Sequence, residues 1–364
     1  MTIRDTVGQL LMVGFPGTEL SREILDWLQE CRPGGVILFS RNLVDPEQVA
    51  RLTNAIQEHA PNPPLLIAID QEGGGVSRLP QEFTTFPAAS RVAACHPPDA
   101  AYEVAEVTAR ELRAVGINMN LAPVLDVNSN PANPIIGDRA YGTRPERVCT
   151  YGMAVIQGLV DNGIIPCGKH FPGHGDTMTD SHHVLPVVEA GRARLDAVEL
   201  EPFRQAIHRG LPAIMTAHVR YPALDAEAPA TLSQPILTGL LRNKLGFEGV
   251  TLTDDMEMRA ILDHQSIGDA SVRALQAGAD MVVICHQQER QRQAVVAIER
   301  ALERGELSRE RLTASVARIR ALKEKRLVPF QPVDPSRVAQ TVGHPRHKAL
   351  LEKIQNGSPV HDVE

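Results

Sequence analysis

Eight short apolar runs punctuate this chain, and longer amphipathic stretches separate most of them. The runs are Leu10–Phe15, Gly35–Phe39, Leu65–Ile69, Ile117–Ala122, Ile164–Cys167, Ala213–Met215, Val250–Leu252 and Met281–Ile284. Glu47–His59, Pro98–Val115, Leu195–Arg209 and Gln287–Arg304 are amphipathic. Strand then helix, repeated, is the pattern of parallel βαβ units, because parallel strands need a crossover that packs back on the sheet. Eight such units predict an α/β fold, a closed (β/α)8 TIM barrel. A doubly wound open sheet fits the same alternation but calls for a glycine-rich phosphate turn at a switch point, and none is convincing here. The length of 364 residues would allow two domains, yet barrels often run well past about 250 residues as one unit. The expected organisation is one catalytic barrel over residues 1–327. A C-terminal extension, 328–364, comes after it, with a short helix near Pro345–Gln355 and a flexible end.

Several function classes are excluded by composition. The net charge is −7, which argues against nucleic acid as the main partner, since phosphate binding needs a basic face. Apolar residues make up 43% of the chain, enough for a real core and against disorder. The five cysteines, Cys31, Cys95, Cys149, Cys167 and Cys285, are scattered and form no Cys-x-x-Cys. That reads as reduced thiols rather than a disulfide framework or zinc ribbon. The opening MTIRDTVGQLLMVGFPGTEL does not read as a signal peptide. No run approaches the roughly 18 apolar residues of a membrane span. The expectation is a cytoplasmic protein without a membrane partner.

Polar and ionisable residues gather directly after the apolar runs. The third run ends in Asp70, the fifth in Lys169-His170, the sixth in Thr216-Ala217-His218, the seventh in Asp254-Asp255 and the eighth reaches His286. In a barrel these strand ends converge on one mouth, where catalysis sits. A single such Asp reads as a helix cap as readily as a functional group. Five strand ends do not.

The richest segment is Lys169–Pro186, KHFPGHGDTMTDSHHVLP. A phosphate loop fits poorly: Gly163-x4-Gly168-Lys169 is followed by His170 where Ser or Thr is needed, and its spacer reads as a strand. A metal site could draw on His170, His174, Asp176, His182 and His183. No Glu or Cys completes a helix-borne ligand motif, and Pro172, Gly173 and Gly175 loosen the backbone. No metal and no cofactor are expected. The third reading is a mobile catalytic loop. In a tight turn Asp180 can reach His182, fix its tautomer and make it a general acid/base.

Three further segments carry chemistry. Gly249–Met256, GVTLTDDM, delivers two adjacent carboxylates. Strand alternation sends them to opposite sides, one toward the mouth as a nucleophile and the other toward a helix cap. Ala68–Arg78, AIDQEGGGVSR, combines a strand-end carboxylate, a glycine turn and an arginine, which suits a hydroxyl-rich ligand. Gly137–Gly142, GDRAYG, is the fourth.

Together these segments resemble glycoside hydrolase family 3, and within it the NagZ-type β-N-acetylglucosaminidases. KHFPGHGDTMTDSHHVLP is the most specific element; DQEGG, NMNLAPVLDV, GDRAYG and TDDMEM stand in the expected order around it. The resemblance implies Asp254 as nucleophile, His182 as acid/base and Asp180 as its partner. It implies that Asp70, Arg78, Arg139, Lys169 and His170 hold the terminal sugar. One departure is Gly75, where many members carry Arg. Two-domain members continue into an α/β sandwich domain that is not expected here. The implied activity is that of a retaining β-N-acetylhexosaminidase removing terminal β-linked GlcNAc through a covalent glycosyl-enzyme. The implied substrates are peptidoglycan fragments, GlcNAc-anhydroMurNAc peptides. The rivals are a β-N-acetylglucosaminide phosphorylase, a β-glucosidase of the same family, a metal hydrolase and a non-catalytic sugar-binding barrel. The oligomeric state has no signature in the sequence.

Overall fold

The computed structural model describes residues 3–60 and 63–357. Ten strands occur among them: β1 (Leu11–Val13), β2 (Gly35–Leu38), β3 (Leu66–Ile69), β4 (Met119–Asn120), β5 (Ile165–Phe171), β6 (Ala213–Thr216), β7 (Arg220–Tyr221), β8 (Asp225–Pro229), β9 (Val250–Asp255) and β10 (Met281–Ile284). Eight close a parallel barrel in the order β1-β2-β3-β4-β5-β6-β9-β10, and β10 pairs back onto β1. β7 and β8 form an antiparallel hairpin beside it. Helices cover the outside, so the strands are buried on both faces; β2, β3, β6 and β10 are buried at every residue. That is why the runs read as continuously apolar. The (β/α)8 architecture expected from the sequence is the one that forms, and no second sandwich occurs among the described residues.

Local chemistry sets the helix starts. Ser21 accepts from the Ile24 N–H and caps Arg22–Cys31, and Asp45 accepts from Gln48 at the head of Pro46–Glu58. Each cap satisfies a backbone donor that has no partner inside the helix. The stretch 195–209, expected as one helix, is two: Arg192–Ala197 and Glu201–His208. Pro202 at the head of the second has no N–H to continue the first. The fourth run pairs regularly over two residues only, because Pro123 cannot donate to the ladder. Asn118 and Asn120 side chains accept from Ile67 and Gln71 N–H groups there instead.

β5 and β9 run further than expected and are irregular near their ends. Gly168 pairs with Ile214 but Phe171 pairs with Thr216, so an extra residue is inserted at Lys169-His170. Met281 pairs with Leu252 but Val283 pairs with Asp255, a similar insertion at Thr253-Asp254. A bulge breaks the period of two and re-aims side chains.

After helix Arg309–Leu327 the chain returns to the barrel wall, where helix Pro345–Gln355 lies. Buried Glu111 accepts from the Gly343 N–H at 3.0 Å and from His347 Nδ1 at 2.7 Å, which seats this extension. Most of the end expected to be flexible lies outside the described residues. No helix among them is long and apolar enough to cross a membrane.

Lys323, in helix Arg309–Leu327, is 0% exposed. Its Nζ donates to Gln9 Oε1 at 3.0 Å, and among the described residues no carboxylate pairs with it. Burial pushes this amine down to about 7. The unfolded chain therefore holds one more proton than the folded one between about pH 7 and pH 10. Stability should rise with pH across that window. Lys323→Met should remove the rise and increase Tm at pH 7, since each unit of depression costs about 1.4 kcal/mol. Thermal unfolding at pH 7 and pH 9.5 checks this; equal pH slopes in both proteins would contradict it.

Candidate active site

The C-terminal ends of the strands surround a cleft of about 410 Å3. Asp70, Arg78, Arg139, Lys169, His170, His182 and Asp254, all singled out from the sequence, line it. Asp180 stands behind His182 and reaches the cleft through it.

The floor is a network of buried charges. Lys169 Nζ lies 2.6 Å from Asp70 Oδ1 and 2.6 Å from Glu72 Oε1. Glu72 also takes Arg139 in a two-pronged grip, Nε to Oε2 and Nη2 to Oε1, both 2.9 Å. An isolated charge here would cost several kcal/mol, so each charge depends on the others. Burial pushes the Glu72 carboxyl up, but Lys169 and Arg139 outweigh burial and hold it down at about 2. Burial lowers the Lys169 amine, and Asp70 and Glu72 more than reverse that. Both cations stay charged, and Arg139 Nη1 also donates to the Ile135 carbonyl at 3.0 Å. Half-buried Arg78 lies beside them, and its Nε finds no partner among the described residues. Arg78 is among the residues that line the cleft.

His170 is fixed by Asp126. Its Nδ1 lies 2.7 Å from Asp126 Oδ2, and its backbone N–H donates to Asp126 Oδ1 at 3.1 Å. Burial pushes the Asp126 carboxyl up, and the His170 contact pulls it below its ordinary value. An ionised Asp126 leaves Nε2 as the nitrogen His170 offers to the cleft.

The two carboxylates at the end of β9 differ in their partners. Asp255 accepts from the Glu257 and Cys285 N–H groups, at 3.1 Å and 3.3 Å, and its Oδ2 lies 3.4 Å from His286 Nε2. Asp254 accepts from the Asp255 N–H at 2.8 Å. Burial raises the Asp254 carboxyl, but His218, His170, that N–H and Lys169 hold it below the usual range. It is a buried carboxylate held in its ionised form. The expectation that strand alternation separates the pair is corrected: both line the cleft, because the bulge at Thr253-Asp254 breaks the alternation. The expected helix cap is not formed either: the following helix, Arg259–Leu262, starts at Met258 with no side-chain cap, and Asp255 instead closes a turn onto the Glu257 N–H.

The loop after β5 carries Asp180 and His182. Asp180 Oδ1 accepts from the His182 N–H at 2.8 Å and lies 2.7 Å from His182 Nδ1. Burial opposes ionisation of Asp180, and the His182 contacts win, lowering its carboxyl. The His182 side chain is 57% exposed, at the rim of the cleft. The five side chains weighed as metal ligands are otherwise engaged. His170 is on Asp126, His174 lies between Thr177 and Ser181, Asp176 faces Arg194 at 3.4 Å, and His182 and His183 turn to Asp180. Among the described residues no three His, Cys, Asp or Glu side chains gather as a ligand set. Lys169 lies inside β5, not in a phosphate loop.

Sequence reasoning assigns no role to Glu72, Asp126, His218 or Asp255 in holding the sugar or the nucleophile, although each stands in a motif or at a strand end named above. His218 is 0% exposed. It lies between the Thr231 hydroxyl at 2.8 Å from Nδ1 and the Asp255 carbonyl at 3.0 Å from Nε2. Burial pushes its imidazole down, against the pull of Asp254. The partners of these side chains are distant in sequence, so only folding reveals them.

Residues 2–322 match the Glycosyl hydrolase family 3 N terminal domain. The chain belongs to glycoside hydrolase family 3. It is 43% identical over 286 residues to a beta-hexosaminidase of Alkalilimnicola ehrlichii, covering 77% of this chain and 81% of that one. Beta-hexosaminidase A of Pseudoalteromonas piscicida is 38% identical over 363 residues, 93% of this chain and 60% of that protein. The solved family 3 beta-N-acetylglucosaminidase of Paenibacillus sp. str. FPU-7 matches with a TM-score of 0.91 at 44% identity, over 97% of this chain and 68% of that one. This family 3 chain thus spans three fifths of one curated relative and four fifths of the other.

Glu72 allows a test of the charge network. Its folded value of about 2 lies below the ordinary 4.5. Its contribution to stability is therefore complete above about pH 4.5 and is lost as pH falls toward 2. Glu72→Gln should cost about 3–5 kcal/mol at pH 7, because two buried cations lose a partner. It should also flatten the loss of stability between pH 5 and pH 3. Urea unfolding across that range measures both; a variant with the wild-type pH slope would contradict the assignment.

Proposed function

We propose that this chain is a retaining β-N-acetylhexosaminidase that removes terminal non-reducing β-linked GlcNAc. One observation carries the reading: the ionised Asp254 lies in the same cleft whose rim bears the Asp180–His182 pair. A retaining glycosidase needs those two kinds of group, one to attack the anomeric carbon and one to protonate the leaving oxygen. The names of the relatives, beta-hexosaminidase and beta-N-acetylglucosaminidase, support the same substrate class.

The chemistry runs in two steps. Asp254 attacks C1 and forms a glycosyl ester as the C1–oxygen bond breaks. The departing oxygen takes a proton from His182 Nε2, the ring nitrogen that Asp180 leaves free. A water then attacks C1 and gives its proton to Nε2, and the ester bond to Asp254 breaks. Asp180 orients the ring and stabilises its charged form. Asp70, Arg78, Arg139, Lys169 and His170 hold the sugar hydroxyls. Closure of the loop gates the reaction. The barrel, 1–327, carries the catalysis, and of the extension 328–364 the described residues, 328–357, are seated on its wall. No metal or other cofactor enters these steps. The finer substrate reading is GlcNAc-anhydroMurNAc peptides in cytoplasmic peptidoglycan recycling. It rests on the resemblance to NagZ-type enzymes.

The protein should hydrolyse 4-nitrophenyl β-GlcNAc in preference to the β-glucoside, at a rate indifferent to phosphate and to chelator. Glucoside preference, phosphate dependence or chelator sensitivity would each overturn the reading in favour of a named rival. Asp254→Asn should reduce turnover to background. His182→Ala should cost roughly 10²–10⁴-fold on substrates with poor leaving groups and far less on activated aryl glycosides. Equal losses on both substrate types would contradict the acid/base role.

A further inference from the structure

The Asp180–His182 pair bonds to itself, so something else must hold it over the cleft. The loop is tied at both ends: Tyr221 donates to the Gly173 carbonyl at 2.7 Å, and the Arg220 N–H donates to the Pro186 carbonyl at 3.0 Å. Between them Met178 and Val184 are exposed. From Met178 to Leu185, among the described residues, the hydrogen bonds that leave the segment are those of Ser181. Its carbonyl accepts from the Ala260 N–H at 3.3 Å, and its Oγ lies 3.2 Å from His174 Nε2. Ser181 is 3% exposed, although its two neighbours are the exposed acid/base residue and its carboxylate.

His174 is itself immobilised on every other side. Its N–H donates to Asp126 Oδ1 at 2.6 Å, and its carbonyl accepts from Asn133 Nδ2 at 2.9 Å. Its Nδ1 lies 3.0 Å from Thr177 Oγ1. Burial, with His170 nearby, pushes this imidazole down to about 4. A neutral ring has one donor and one acceptor nitrogen. The Thr177 hydroxyl donates to the His174 carbonyl at 3.2 Å, so it accepts from Nδ1–H. Nε2 is left to accept the Ser181 hydroxyl proton.

We propose that His174 and Ser181 are positioning residues for the acid/base, a latch that holds Asp180 and His182 over the cleft through the Ser181 hydroxyl. The inference rests on the assignment of His182 as the proton donor. It gives His174 and Ser181 work that neither substrate binding nor bond cleavage supplies. Because Asp126 also grips His170, one buried carboxylate registers both the sugar-holding imidazole and the latch.

The test compares kcat/KM, which reports the glycosylation step, for chitobiose and for 2,4-dinitrophenyl β-GlcNAc. Ser181→Ala should lose about tenfold on chitobiose, the scale expected when one hydrogen bond sets the closed population. It should lose under about threefold on the activated glycoside, which needs little protonation. Ser181→Thr, which keeps the hydroxyl, should restore chitobiose turnover. In the His182→Ala background Ser181→Ala should add nothing, because the latch acts through His182. Equal losses on both substrates, or an additive loss in that background, would overturn the latch. A wild-type protein that releases GlcNAc from neither substrate would instead overturn the proposed activity, and the latch with it.

Discussion

Glu72 holds two buried cations at once, Lys169 and Arg139, and the mouth of the barrel is organised around that grip. The three residues come from the turn after β3, from β5 and from the segment after β4. Ionised groups taken out of water are stable only when paired and hydrogen-bonded. Separating them would strand a charge, so the network fixes three parts of the mouth relative to one another. Asp70 joins on the other side of Lys169. The result is a rigid floor rich in donors and acceptors, beside which Asp254 is held ionised. A hydroxyl-rich ring entering this floor exchanges hydrogen bonds with water for hydrogen bonds with groups that are already in place.

A second buried carboxylate connects the floor to the loop that bears Asp180 and His182. Asp126 takes the His170 ring with one oxygen and the backbone N–H groups of His170 and His174 with the other. Both histidines lie at or beyond the bulge in β5, so the inserted residue there sets the direction of Lys169 and His170 and the start of the loop. The loop then carries Asp180 and His182 to the rim. In the proposed mechanism, binding and proton transfer are thus built on one strand end, with the nucleophile supplied from β9.

The barrel is legible in the sequence for a simple reason. Strands buried on both faces must be apolar throughout, so runs such as Leu65–Ile69 and Met281–Ile284 stand out from the amphipathic helices between them. The strand-end Asp70, Lys169, His170 and Asp254 are legible because an ionisable group directly after a fully buried run must meet a partner, water or a ligand. The bulges are not, since a period of two carries no mark of an inserted residue; hence the mistaken separation of Asp254 from Asp255. The single helix expected across 195–209 overlooks Pro202. Glu72 and Asp126 sit inside recognisable motifs, but their partners are distant in sequence, and no local spacing signals a contact between residues 72 and 139. An isolated Asp-Ser-His reads more readily as a turn beside a surface histidine, but the glycine- and histidine-rich loop around Asp180 and His182 makes an acid/base pair legible, and the family resemblance adds to that reading.

The central claim is that Asp254 becomes covalently bonded to the sugar. Mass spectrometry of the His182→Ala variant during turnover of 2,4-dinitrophenyl β-GlcNAc tests it most directly, because the activated leaving group departs without acid while breakdown of the ester lacks its base. The expected product is a protein heavier by one N-acetylhexosaminyl residue, located after proteolysis on the peptide that contains Asp254. An adduct on another residue, or GlcNAc release from the activated substrate with no adduct at any time point, would contradict it.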